Sequence, residues 1–219
     1  MDDPRANTSK EHIYREVRRS IILGNISPGT RLDISRLADQ FHTSVTPVCD
    51  ALQLLSQDDL ITIKPRSGYF VAHITFKKLR DLLEVRRILE LAGIEMAAKR
   101  ITGDELNELR TVHAGYTGDD DLSYDRYTDE NRKFHYLIAK ASGNQELAEM
   151  IARLHDRLAR FMVYKHAGES QEISHARIID ALYLHDVNLA WQYLLADIET
   201  SRDAILDFVF TDEADSWRI

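Results

Sequence analysis

The sequence predicts a mainly α-helical protein in two parts, residues 1–74 and 75–219. Three observations predict it: a helix-turn-helix pattern with a basic hairpin behind it, the scarcity of glycine and proline after Phe76, and an apolar period near 3.6 from that point on. At 219 residues the chain is long enough to bury a proper core without disulfides or metals as staples.

Ile13 to Leu23 forms the first helix, with Val17, Ile21 and Ile22 inside; Gly24 stops it and Ser27, Pro28, Gly29 and Thr30 make a turn. In Asp33 to Leu60, Leu37 and Ala38 close a short amphipathic segment and His42 to Ser44 break it. Pro47 then opens a second segment with Val48, Ala51, Leu52 and Leu55 at helical spacing. Ser44 and Thr46 both suit the cap, and Pro47 fits a first turn, where no backbone N–H needs a partner. Leu60 to Ile63 and Tyr69 to Ile74 alternate as two short strands, joined by Lys64, Pro65, Arg66, Ser67 and Gly68 in a basic, glycine-bearing tip. Helix, turn, helix, helix, hairpin is a winged helix-turn-helix, with its second paired helix free to enter a major groove.

Leu23-Gly24, Pro28-Gly29-Thr30-Arg31-Leu32, Leu37-Ala38, Thr46-Pro47-Val48, Ala51-Leu52, Leu55, Leu60-Ile61 and Arg66-x-Gly68 with Val71 follow one another in order and without a gap. In these residues the chain resembles the amino-terminal domain of GntR-family transcription regulators over nearly all of residues 10 to 74. The family usually has arginine at the positions of Val45 and Cys49, so the resemblance implies an operator or an affinity that differs from the family norm. Arg15, Arg18, Arg19, Arg31, Arg36, Lys64 and Arg66 remain for phosphates, and Ser44, Thr46 and Gln53 for base edges.

The net charge of −8 is unevenly spread: residues 1–75 carry nine Lys and Arg against nine Asp and Glu, so the whole excess lies beyond them. A neutral DNA-binding domain is unusual, but local clustering of Arg on one face sets the field at a groove. Cys49 is the only cysteine, which excludes an intramolecular disulfide and fits a reducing cytoplasm. No apolar run approaches the roughly 20 residues of a spanning helix, and the polar start lacks a signal-peptide core. Residues 1 to about 8 are expected to be a loose tail.

Helices are expected at about 76–100, 103–116, 122–141, 144–165, 170–185 and 187–210, with breaks at Thr102-Gly103, Gly118 to Asp121, Ser142-Gly143-Asn144, Gly168 and His185-Asp186. Six antiparallel helices with short loops make a bundle with a central cavity. Thr75 is a plausible cap, and the short joint at Ala72 to Thr75 favours direct coupling between the parts.

Polar side chains interrupt three apolar stripes. Leu79, Leu82, Arg86, Leu89, Gly93 and Met96 share a row, which puts a guanidinium on the buried side, with Glu90 one turn on as its candidate partner. Tyr124, Tyr127, Asn131, His135 and Ile138 share a face, and Asn131 and His135 at i and i+4 can chelate one ion. His175 lies in line with Ile178, Ile179 and Leu182, and Asp197 stands between Leu194 and Ser201. His113, His155, His166 and His185 are expected to be ordinary hydrogen-bonded core histidines.

Glu84-Val85-Arg86 with Glu90, Asn131-x-x-Phe134-His135, Ala141-Ser142-Gly143-Asn144, and His175-x-x-Ile178-x-x-Ala181 with Asp186 and Ala190 extend the likeness. Over most of residues 76 to 205 the chain resembles the FCD ligand-binding domain of the FadR branch, and its six helices resemble the VanR-type arrangement. Many members hold a metal with one Asp and three His. The resemblance puts Asn131 at the Asp, His135 and His175 at two His, and Asp197 at the third His, so two of four ligands differ. Two imidazoles, a carboxylate and an amide oxygen still suit a borderline divalent ion, zinc first, with nickel or manganese behind it. A metal-free polar pocket is the alternative, since an amide is a weak ligand.

With an ion present that site carries about +1 and Arg86 adds another, so it wants an anion. A small carboxylate would complete the coordination sphere and pair with Arg86, while Tyr124 or Tyr127 reads its hydroxyls; the resemblance likewise implies organic or sugar acids. On this reading Arg86→Ala abolishes the ligand response and leaves the fold intact. The resemblance therefore implies a ligand-responsive regulator, a repressor, bound as a homodimer to a palindromic duplex. The alternative is a metal-dependent hydrolase or other enzyme built on the bundle, with Asp197 or Glu90 as base, although nothing resembles an H-E-x-x-H helix.

Overall fold

The computed structural model describes residues 4–73, 75–112, 121–162 and 168–211, with the backbone alone at 4–8, 121–128, 160, 162, 168–172, 208, 210 and 211. The chain divides into two compact units, residues 1–74 and 75–219.

The first unit begins with α1 (Pro4–Ile22), earlier than the expected Ile13. Residues 4–8, expected as tail, are helical, and proline suits the start because its missing N–H would have no partner there. Ile13, Val17, Ile21 and Ile22 are buried along it. A pair of helices follows, α2 (Ile34–Gln40) and α3 (Val45–Gln57). Asp33 caps α2 by accepting from the amides of Ser35 and Arg36. His42 in the turn has φ 49°, a left-handed conformation that ends α2 and redirects the chain. Ser44 occupies the N-cap position of α3, but its side chain makes no capping hydrogen bond. Pro47, in the first turn, is buried, and Val48, Ala51, Leu52 and Leu55 pack with Ile13, Val17, Leu60 and Val71 into one core.

The wing is a three-stranded antiparallel sheet with order β1-β3-β2, made of β1 (Arg31–Leu32), β2 (Ile61–Lys64) and β3 (Gly68–Val71). Its hairpin register pairs Ile61 with Val71 and Lys64 with Gly68. Gly68 (φ 107°) and Arg66 (φ 61°) supply the left-handed residues of the tip. β1 pairs Arg31 with Phe70 and Leu32 with Tyr69, a strand that sequence patterning does not reveal because two residues carry no periodicity.

The second unit is the six-helix bundle that the periodicity predicts: α4 (Phe76–Ala98), α5 (Gly103–Thr111), α6 (Asp121–Ala141), α7 (Gln145–Met162), α8 (Gly168–Tyr183) and α9 (Val187–Thr211). Thr75 caps α4 through the Lys78 amide, and Thr102 and Glu105 form a reciprocal capping box on α5. Between α6 and α7, Gly143 (φ 77°) turns the chain and the Asn144 carboxamide accepts from the Leu147 amide. That tight reversal lays α7 back along α6. A core of Ile94, Phe134, Ile138, Ile178, Leu182, Leu194 and Ile198 joins the helices.

Candidate metal and effector site

Ten polar side chains are buried in the described bundle, and seven of them form one cluster: Arg86 and Glu90 on α4, His135 on α6, His155 on α7, His175 on α8, and Asp197 and Ser201 on α9. Each interrupts an apolar stripe, so the packing that buries the stripes carries the polar groups to one place.

Glu90 is the hub. One oxygen lies 2.8 Å from Arg86 Nε and 2.7 Å from His155 Nε2, and the other lies 2.7 Å from His135 Nδ1. Burial alone would raise this carboxyl; Arg86 first, then His135 and His155, overturn that and hold it well below the ordinary carboxylate range. The 2.8 Å contact confirms Glu90 as the Arg86 partner named from the sequence. His155 is where the sequence-based expectation needs correction. It is a buried, hydrogen-bonded histidine as expected, yet not a separate one: its ring stacks on His135 at 4.6 Å and shares Glu90. Burial pushes its imidazole down to about 3, against the pull of Glu90, so it stays neutral at ordinary pH. Helical spacing on α7 shows that it faces inward, and only the fold shows what it meets.

On the far side of His135 a second group opens. Its Nε2 lies 3.7 Å from Asp197 Oδ2, and His175 Nε2 lies 3.7 Å from Asp197 Oδ1. One ligand atom from each of these three residues lies within 4.8 Å of the others. Arg86 Nη2 is 4.0 Å from Asp197 Oδ2, and Arg86 Nη1 donates to Ser201 at 3.3 Å. Ser174 donates to Asp197 Oδ1 at 3.0 Å, and Phe134 stacks on His175 at 3.8 Å, fixing the ring. Among the described residues no hydrogen bond reaches His135 Nε2, Asp197 Oδ2 or Arg86 Nη2, though all three are buried. Buried polar atoms without a hydrogen bond are costly, and three of them, held only in ion-pair contacts of 3.7–4.0 Å with one another, suit a bound group.

Two triads could each be read as a cation site, Glu90-His135-His155 and His135-His175-Asp197. Distance separates them. Two donors on a tetrahedral zinc sit about 3.3 Å apart, given bonds near 2.0–2.1 Å. The 2.7 Å contacts around Glu90 are shorter than that, one of them the His155 hydrogen bond and the other a close His135 ion-pair contact, with a guanidinium already on the carboxylate. The 3.7 Å separations around Asp197 are longer by a few tenths of an ångström, which small side-chain adjustments would close.

Of the residues singled out from the sequence, the fold brings Arg86, His135, His175 and Asp197 together. Asn131 is buried one helical turn before His135. Arg86 is less available than expected: fully buried and paired with Glu90, it has its charge cancelled locally, and it offers an incoming group only Nη2. Tyr124 and Tyr127 lie on α6, but their side chains fall outside the described residues, as do His113 and His166. His185 is an ordinary structural histidine, with Nδ1 2.8 Å from the Ala98 carbonyl oxygen.

In the first unit Arg15, Arg31, Arg36, Ser44, Thr46, Gln53, Lys64 and Arg66 are all exposed. Lys64 lies 4.5 Å over the Phe70 ring, which steadies one wing cation.

Residues 9–71 match the family model described as bacterial regulatory proteins, gntR family, and residues 81–200 match the FCD domain. The chain belongs to the GntR family and carries an FCD domain. It is 28% identical over 182 residues to the HTH-type transcriptional repressor RspR of Escherichia coli K12, covering 80% of this chain and 79% of that one. With the Nta operon transcriptional regulator of Aminobacter aminovorans it shares 27% over 184 residues, 83% and 87% of the two chains. E. coli McbR/YncC has the same fold, with a TM-score of 0.74, 23% identity and coverage of 93% and 99%. Members of this GntR/FCD family are DNA-binding transcription factors and not enzymes, so the alternative of a hydrolase on the bundle falls. No helix among the described residues is long and apolar enough to cross a membrane.

Proposed function

We propose that this GntR/FCD regulator is a cytoplasmic repressor of the FadR branch, with the VanR-like six-helix arrangement, which releases or binds a palindromic operator as a homodimer when its bundle takes up a small organic or sugar acid. Residues 1–74 are the DNA-reading domain and residues 75–219 the effector and dimerisation domain. His135, His175 and Asp197, with Asn131 beside them, would hold a divalent ion, and that ion would supply a Lewis-acidic position for the acid's carboxylate.

The observation that carries this reading is a charge deficit. Leaving its histidines out of the count, the buried cluster holds one cation, Arg86, against two carboxylates, Glu90 and Asp197, a balance of −1. A buried uncompensated charge is expensive, and a divalent ion turns the balance to +1. That surplus favours one small anion, and Arg86 Nη2 stands beside Asp197 to meet it. Because Glu90 cancels Arg86, the attraction is weaker than the +2 expected from the sequence. Tyr124 and Tyr127, two turns and one turn before Asn131 on α6, remain the proposed readers of the acid's hydroxyls.

Metal analysis of the purified chain, joined to a thermal-shift screen of small acids, tests the reading. About one zinc, nickel or manganese per chain is expected, lost in His135→Ala with His175→Ala. An acid should raise the melting temperature of the loaded protein and leave the stripped protein unmoved, because only a ligand of the native state stabilises it. Metal-free protein that takes up acids equally well would overturn the metal half of the proposal.

A further inference from the structure

We propose that α3 reads A·T base pairs, with Val45 seated on a thymine methyl and Gln53 on an adenine edge, and that guanine is excluded beneath it. The inference rests on the DNA-binding reading above and concerns which bases the helix accepts.

From its start to Gln53, the exposed face of α3 consists of Val45, Thr46, Asp50 and Gln53, with Cys49 half-buried among them. Val45, Cys49 and Gln53 stand at i, i+4 and i+8 and so form one row along the helix. The first turn of such a helix is the part that meets base edges. Val45, the first residue of α3, keeps 49% of its surface in solvent, while Pro47 and Val48 beside it are buried. An apolar side chain held out at that position matches the one apolar feature of the major groove, the thymine C5-methyl.

Charge supports the same assignment. The helix VTPVCDALQLLSQ contains one charged residue, Asp50, and no Lys or Arg. Guanine offers two acceptors, N7 and O6, and is read by a cationic fork. No side chain on α3 supplies one. The carboxamide of Gln53 matches the donor and acceptor of adenine at N6 and N7. The exposed cations of this unit, Arg15, Arg31, Arg36, Lys64 and Arg66, all lie off α3, on α1, β1, α2 and the hairpin. Phosphate neutralisation is thereby left to the flanks, and base reading to an uncharged row.

The test uses the full chain and a duplex selected from a random-sequence pool at fixed salt. A·T pairs are expected at the two or three positions per half-site that depend on α3. Replacing thymine by uracil at the position read by Val45 deletes only the methyl group. The loss expected is about fourfold in affinity, from the transfer free energy of one buried methyl. Val45→Ala, a change on the surface that leaves the core untouched, should weaken thymine binding by a similar factor and abolish the thymine-to-uracil difference. Equal affinity for the thymine and uracil duplexes overturns the proposal, as does selection of guanine under α3. Failure to select any duplex would remove the DNA-binding reading itself and this inference with it.

Discussion

His135 Nδ1 lies 2.7 Å from a carboxylate oxygen of Glu90, and this contact turns the other ring nitrogen of His135 toward Asp197. A carboxylate on one nitrogen of an imidazole fixes the tautomer and makes the opposite nitrogen a better ligand. Glu90→Gln keeps the shape and removes the charge. Metal affinity should fall by about 10- to 100-fold, the usual cost of losing such a partner. A competition titration against a chelator of known strength measures it, and an unchanged affinity would separate Glu90 from the site.

Arg86→Ala does not have the clean outcome that the sequence suggests. Removing a guanidinium that is fully buried and paired at 2.8 Å strands Glu90, so a loss of about 3–5 kcal/mol of stability is expected alongside the ligand response. Urea unfolding reads the first effect and a thermal shift with acid the second. Wild-type stability in the variant would show that the pair is not closed in solution. Arg86→Ala with Glu90→Gln should recover part of the stability, since neither charge is then left alone.

Acid should destabilise the metal-stripped bundle before the carboxylates titrate. His155 is held down at about 3, against an ordinary 6.5, so between those values the unfolded chain binds a proton that the folded chain refuses. Stability then falls as the pH drops from 6.5 toward 3, with a slope of up to about 1.4 kcal/mol per pH unit from this group. Glu90 acts with the same sign lower down: its contribution is present above its unfolded value of 4.5 and is lost as the pH falls through its depressed folded value. Urea midpoints at pH 7, 6 and 5 in the presence of a chelator give the slope, and His155→Phe should flatten this limb. An equally steep limb in the variant would place the protonation elsewhere.

Lys64 and Arg66 at the hairpin tip are exposed, and the proposal assigns them to phosphates and not to base edges. Changing either to Ala should weaken binding to all duplexes alike and reduce the slope of log affinity against log salt by about 0.9 for each phosphate that is no longer neutralised. A sequence-dependent weakening would instead assign the wing to base readout.

The elements of both units are readable in the sequence because their causes are local. The 3.6-residue apolar period, the Gly143 turn and the Thr75 and Thr102 caps lie within a few residues of what they control, so the starts of α4 and α5 follow the sequence closely, whereas α1 begins nine residues before its apolar period. Where the cause is distant the sequence is silent: β1 is two residues long and exists only because β3 comes alongside it.

The same division runs through the candidate site. Arg86, His135, His175 and Asp197 each occupy an apolar stripe that packing hides, and the order of residues was enough to require their burial. A stripe specifies the face of its own helix and nothing about the neighbour it meets. That Glu90 bonds Arg86, His135 and His155 together across three helices, that His155 belongs to the cluster, and that Arg86 has its charge cancelled emerge only once the bundle is assembled. Those pairings join residues up to 65 positions apart, and they are set by how the helices pack, which no local period encodes.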